Sequence, residues 1–235
     1  MIEIEQLTKK YKNLKALDAV SVSFQAGQGV AVIGPNGSGK TTLIKNILGM
    51  VLPDSGTILF EGKNIHKQHE YRKRIGYMPQ QVSFPMNITV KQLLMMLKDI
   101  RREKNTDEEL LELFHISEIE NKNLGALSGG MKQKVNACIA FLFNPQAYIL
   151  DEPTAGLDPL SAEILKNKIL KEKAKGKMIL VSSHILADLE ELATNVLYLL
   201  NGKIFFYKTL QEILKETSAQ NLSKALAAVI MKNNT

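Results

Sequence analysis

The chain opens on strict alternation. Ile2 and Ile4 stand against Glu3 and Glu5, and Val20, Val22 and Phe24 against polar neighbours. A period of two is that of a half-exposed antiparallel sheet. After a turn at 26–29, Val30-Ala31-Val32-Ile33 shows no alternation, as expected of a strand covered on both faces. It runs into a glycine-rich loop and a helix over 40–48, stopped near Gly49, and 57–60 reads as another short strand. From 82 to 144 the period becomes helical. Leu93, Leu94, Leu97 and Ile100 recur at steps of three and four, as do Leu110, Leu111 and Phe114 with acids between them. Met95 and Met96, beside Leu93 and Leu97, are expected to pack in that helix rather than to bind a metal.

A loop at 121–127 leads to a helix from about Gly129 that ends before Pro145, with Ser128 suited to its N-cap. Tyr148-Ile149-Leu150 is a second buried strand and ends in two acids. Asp158 caps the next helix, Pro159 takes its first position and Gly176 its end. Residues 178–182 form a third buried strand. Residues 196–200 and 204–207 flank Asn201-Gly202, a strong hairpin signal. Residues 210–232 read as short amphipathic helices. The pattern predicts an α/β core holding both termini, with a helical block inserted over about 82–144.

Composition narrows the class. Over 235 residues, 45% are hydrophobic and 23% charged, which excludes disorder, collagen-like repeats and coiled-coil rods. One cysteine, Cys138, rules out an intramolecular disulfide, and with four histidines it leaves little for a zinc site. Cys138 falls among Val135, Ala137 and Ile139 and reads as a core residue. The N-terminus is charged from its third residue, unlike a signal peptide, and no apolar run approaches the roughly 18 residues of a membrane span. A cytoplasmic chain is expected. The net charge of +6 comes with scattered lysines, which read as solvated surface rather than a nucleic-acid footprint.

The chemistry sits in three motifs. Gly34-Pro35-Asn36-Gly37-Ser38-Gly39-Lys40-Thr41 matches G-x-x-x-x-G-K-[ST] between a buried strand and a helix. The glycines let backbone N–H groups converge on an anion, and the helix N-terminus adds partial positive charge. Lys40 can reach the β- and γ-phosphates, and the Thr41 hydroxyl can ligate Mg²⁺. Asp151 and Glu152 close the strand at 148–150. Strand alternation would send them to opposite faces, so Asp151 is assigned to the metal and Glu152 to polarising the attacking water. Leu127-Ser128-Gly129-Gly130 opens a helix with two glycines, although glycine costs a helix about 0.5–1 kcal/mol against alanine. Something is expected to approach that backbone closely, a second anion site distinct from the first.

This order of motifs, with a lone His184 after the next strand, resembles an ABC-type ATPase domain over essentially the whole chain to about Tyr207. The resemblance implies a P-loop NTPase with a RecA-like core, an antiparallel β subdomain and the inserted helical subdomain. The domain would span 1–207, and 208–235 would be a short helical extension. The resemblance further implies that Tyr11 stacks on adenine, that Thr42 joins the phosphate loop, and that Gln80 touches Mg²⁺ and water. Gln80 is preferred to Gln81 by the Pro-Gln spacing. Ser128, Gly129 and Gly130 would contact the γ-phosphate held by a second subunit, Asp158 would lie in the loop crossing the dimer seam, and His184 would sit at the γ-phosphate. The family's usual fifth signature residue is Gln; here it is Met131, followed by Lys132-Gln133-Lys134.

The function so implied is an ATP-hydrolysing subunit that dimerises over two ATP and drives a separate membrane subunit, peripheral on the inner face of the cell membrane. The signature and the segment 76–90 loosely resemble subunits of copper-maturation systems for nitrous oxide reductase, and also multidrug export subunits. An alternative class of ABC ATPases works on nucleic acid or ribosomes. Those usually fuse two ATPase domains or insert long coiled coils, whereas this chain has one copy of each motif and no sustained heptads. A kinase or GTPase with the same phosphate loop would not account for Leu127-Ser128-Gly129-Gly130 or His184.

Overall fold

The structure, a computed structural model, describes residues 1–103 and 105–232, so the last residues of the expected extension, 233–235, lie outside the described residues. The first half runs β1 (Ile2–Tyr11), β2 (Leu14–Phe24), β3 (Gly29–Ile33), α1 (Lys40–Ile47), β4 (Ser55–Phe60), β5 (Lys63–Asn64), β6 (Ile75–Met78), α2 (Val90–Arg101) and α3 (Glu109–Leu113). The second runs α4 (Gly129–Phe141), β7 (Ala147–Asp151), α5 (Pro159–Ala174), β8 (Met178–Ser182), α6 (Leu186–Leu192), β9 (Asn195–Leu200), β10 (Lys203–Thr209), α7 (Leu210–Thr217) and α8 (Leu222–Lys232).

Two sheets carry the site. The smaller is antiparallel, in the order β2-β1-β4-β5, with Ile2 opposite Phe24 and Ile4 opposite Val22. The larger has the order β10-β9-β3-β8-β7-β6; its strands are parallel except β10, the return strand of the hairpin at Asn201-Gly202. All five residues of β3, β7 and β8 are buried, because layers cover both faces. Val30, Val32, Ala147 and Ile149 join the core shared with the small sheet and α1. Ala31, Ile33, Tyr148 and Leu150 join the core under α4 and α5. That two-sided burial erases the alternation from these sequences.

β6 and β7 are neighbours in the sheet, paired from Ile75–Ala147 to Met78–Leu150, yet α2, α3 and α4 lie between them in sequence. The helical segment is thus a long crossover connection within one parallel pair. The sequence pattern gives no sign of β6. Gly76 stands in it because a Cβ would meet the Ala140 carbonyl at 2.3 Å, so glycine lets α4 lie against the strand. The methionine expectation is corrected here. Met95 is 57% and Met96 43% exposed, and Ile100 is exposed too, while Val90 and Leu93 are buried and Leu94 and Leu97 pack against the core. The apolar face of α2 is narrower than its composition implies. At the C-terminus, Thr209 and Glu212 form a capping box for α7, and Ile213, Leu222, Ala225 and Leu226 are buried in the main core.

Candidate functional site

The phosphate loop follows from where β3 stops. Gly34 has φ 154°, and a Cβ there would lie 2.2 Å from the Leu199 carbonyl oxygen. Gly39, at the N-cap of α1, has φ 108°, and its Cβ would lie 2.4 Å from the Ala16 oxygen. Only glycine fits either place. Gly39 has no side chain to cap the helix, so the first-turn N–H groups, with their share of the helix dipole, stay available to an anion. Lys40 lies across the loop, its Nζ donating to the carbonyls of Gly34 at 2.6 Å and Pro35 at 3.1 Å. Burial pulls the Lys40 ammonium below the usual lysine value, against the opposing pull of Asp151 and Glu152.

A cleft of about 290 Å³ opens over this loop and is lined by residues 36–42, which include Asn36, Gly37, Ser38, Thr41 and Thr42. Tyr11, Gln80, Asp151, Glu152 and His184 line the same cleft. They arrive from the C-terminal ends of β1, β6, β7 and β8, and such carboxyl ends are where open parallel sheets bind ligands. Tyr11 is 45% exposed, with the Lys9 ammonium 5.6 Å from its ring centre. Asp151 is buried at the end of β7 and accepts a hydrogen bond from the Ser182 hydroxyl on β8.

The two acids are not related as the alternation argument expects. Glu152 has left the strand: its φ is 51°, and its N–H donates to the Ser182 carbonyl at 3.0 Å. The left-handed conformation takes Glu152 out of the strand alternation, and both carboxylates line one cleft instead of pointing to opposite faces. For a non-glycine residue that conformation costs roughly 1–2 kcal/mol, held here by the surrounding bonds. His184 Nε2 lies 2.8 Å from Glu152 Oε1.

Ser128, Gly129, Gly130 and Asp158 stand outside the cleft. Ser128 caps α4, its Oγ accepting from the Met131 N–H at 3.3 Å. Among the described residues nothing explains Gly129: beyond its chain neighbours and its own helix backbone, a Cβ there would meet no atom within 4 Å. At Gly130 a Cβ would come 3.0 Å from the Gly156 oxygen. Asp158 caps α5, accepting from Ser161 N–H at 2.9 Å and Ser161 Oγ at 2.7 Å, and pairs with Lys134 at 3.1 Å. These partners, the Ser161 hydrogen bonds first, hold its carboxyl well below the usual carboxylate range. The sequence reading passed over two further residues, Gln133 and Asn136 of α4, whose amides bond to the loops after β7 and β6. Their signal is two amides three apart, one turn of a helix, with Val135 between them and Ala137 and Cys138 after.

The residues fit a nucleotide and its metal. Ser38 Oγ is buried in the phosphate loop without a hydrogen-bond partner, as a donor waiting for an acceptor would be. The Thr41 hydroxyl and Asp151 carboxylate are hard oxygen donors of the kind magnesium takes. A glycine-rich loop between a central parallel strand and a helix, facing two acids at the end of β7, one strand beyond the neighbouring β8, defines a P-loop nucleoside triphosphatase.

A protein-family model described as "ABC transporter" matches residues 17–155, more than half of the chain. The uncharacterized ABC transporter ATP-binding protein YhaQ of Bacillus subtilis is 33% identical over 228 residues, covering 95% of this chain and 76% of the relative. The lipopolysaccharide export system ATP-binding protein LptB of Haemophilus influenzae is 32% identical, covering 94% of this chain and 96% of its own. A solved structure of the ATP-binding subunit of an ABC transporter superposes with a TM-score of 0.88 at 31% identity, covering 97% of this chain and 98% of the other. The chain belongs to the ABC transporter family, as an ATP-binding and ATP-hydrolysing subunit. Among the described residues, no helix is long and apolar enough to cross a membrane.

Proposed function

We propose that two copies of this chain close over two nucleotides, each held by the phosphate loop of one copy and the 128–130 segment of the other, and that closure moves a separate membrane-spanning subunit. The observation that carries this reading is the separation of the two motifs. The cleft gathers the phosphate loop, Gln80, Asp151, Glu152 and His184, while an exposed helix start with an unexplained glycine stands outside it. A second copy turned head to tail supplies the close approach that Gly129 permits.

Within each site, Lys40 swings from the Gly34 and Pro35 carbonyls to the phosphates, and the α1 N–H groups bind their oxygens. Tyr11 stacks on the base, and Asn36 and Thr42 complete the loop. Thr41, Asp151 and Gln80 would hold magnesium, which would neutralise phosphate charge. Glu152 accepts a proton from the attacking water, and His184, already in contact with Glu152, orients it. Asp158 lies at the seam between copies. The chain comprises an ATPase domain over 1–207 with the helical subdomain at about 82–144, and a C-terminal extension over 208–235. It works in the cytoplasm, peripheral to the membrane through its partner, with no direct nucleic-acid contact.

The test is the order of the reaction in protein. Hydrolysis per chain should rise with chain concentration until dimers saturate. Ser128→Arg should bind ATP as wild type does and hydrolyse none of it at any concentration. Concentration-independent turnover by Ser128→Arg at the wild-type rate would remove the shared site.

A further inference from the structure

α4 runs alongside both loops that end in the cleft. The Gln133 side-chain amide donates to the carbonyls of Pro153 at 3.2 Å and Glu152 at 3.4 Å. The Asn136 amide donates to the Pro79 carbonyl at 3.1 Å and to Gln133 Oε1 at 3.4 Å. Both side chains are buried, at 6% and 4% exposure. A continuous chain of bonds therefore joins the loop carrying Gln80 to the loop carrying Glu152. The first turns of the same helix grip the second loop at two more points, Gly130 against the Gly156 oxygen and Lys134 on Asp158.

The need for such a link follows from the backbone. β6 stops at Met78 and β7 at Asp151, and the last bond from the β7 loop to the sheet is the Glu152 N–H on the Ser182 carbonyl. Each loop then contains a proline, Pro79 or Pro153, which offers a carbonyl but no N–H. Those carbonyls need donors from outside the sheet, and α4 supplies them. A simpler need, filling the core, would be met by apolar residues, as at Val135, Ala137 and Cys138 around them.

We infer that Gln133 and Asn136 are positioning residues: they hold the Gln80 and Glu152 loops in register with each other and with the helix whose start, Ser128 to Gly130, serves the other copy's nucleotide. This inference rests on the proposed roles of Glu152 and Gln80. It makes α4 the physical link between a chain's own site and the one it completes. A rotation of α4 as copies close would shift both loops together.

The experiment uses the full chain and MgATP. Gln133→Met keeps the side-chain size but cannot donate, and Asn136→Ala removes the second amide with little risk to a helix. Each should keep the wild-type melting temperature within a few degrees and KM within about twofold. Each should lose kcat by on the order of 10- to 100-fold, the scale of a slightly misplaced group. Combined with Glu152→Gln, Gln133→Met should not slow the residual rate further, because the group it positions is already gone. Wild-type kcat in both single variants, a rise of KM together with falls in kcat and melting temperature, or an additive loss of Gln133→Met with Glu152→Gln would each overturn the inference. Full activity of Glu152→Gln alone is a different failure: it strikes the reading of the site on which the inference rests.

Discussion

Lys40 and Glu152 are the residues on which the chemistry turns. Lys40 is the cation that lines the cleft beside the phosphate loop, and its present partners are neutral carbonyls that it can leave without stranding a charge. Lys40→Ala should abolish ATP binding in a calorimetric titration, and an affinity equal to wild type would contradict its assignment. Glu152→Gln preserves shape and leaves Lys40 untouched but removes the proton acceptor. It should bind ATP normally while phosphate release falls about 10²–10⁴-fold, the usual cost of a lost general base. Equal phosphate release by the two proteins would shift the role to His184. At this scale the sequence names the participants through spacing, because glycine, lysine and paired acids carry their chemistry in their identity. It conceals their orientation. Nothing in Leu150-Asp151-Glu152-Pro153 announces that Glu152 turns to φ 51°, since the bond that fixes it comes from Ser182 on another strand.

At the scale of elements, the buried lysine of α5 ties that helix to the helical segment at α3. Lys168, its side chain 1% exposed, bonds Asp107 and, at 2.7 Å, Glu109 just before and at the start of α3. Glu172, wholly buried, meets Lys168 at 3.2 Å, Lys175 at 2.7 Å and Lys177 at 2.7 Å. Lys168→Met should cost about 1–3 kcal/mol in urea unfolding at pH 7, because Asp107 loses the Lys168 ammonium while Glu109 keeps Lys171 and Glu172 keeps Lys175 and Lys177. Burial pushes the Glu172 carboxyl up, but the Lys175 and Lys177 hydrogen bonds and the Lys168 charge outweigh it and hold the pKa at about 2. A folded value below the unfolded one, near 4.3, means the stabilisation is complete above about pH 5 and fades as pH falls toward 2. The stability gap between wild type and Glu172→Gln should therefore shrink over that range, and a constant gap would refute the linkage. The sequence reads Lys168 as surface like the other scattered lysines, because two of the partners that bury it, Asp107 and Glu109, lie some sixty residues away in the chain. β6 was equally hidden: four residues with a central glycine carry no period, and their strand state is set by pairing with β7. The strands at 30–33, 148–150 and 178–182, the caps at Ser128 and Asp158, and the hairpin were legible because their signals are local.

The whole molecule is a frame that brings several strand ends to one cleft and leaves a second motif facing outward. The central claim is that the outward motif completes the cleft of another copy. Glu152→Gln tests it most directly, since a site that binds ATP without hydrolysing it should keep the copies closed. Analytical ultracentrifugation of Glu152→Gln with MgATP should show a dimer carrying one ATP per chain, and a monomer without nucleotide. Adding Ser128→Arg to that protein should return it to monomer with ATP still bound. A double variant that dimerises as well as Glu152→Gln alone would contradict the account.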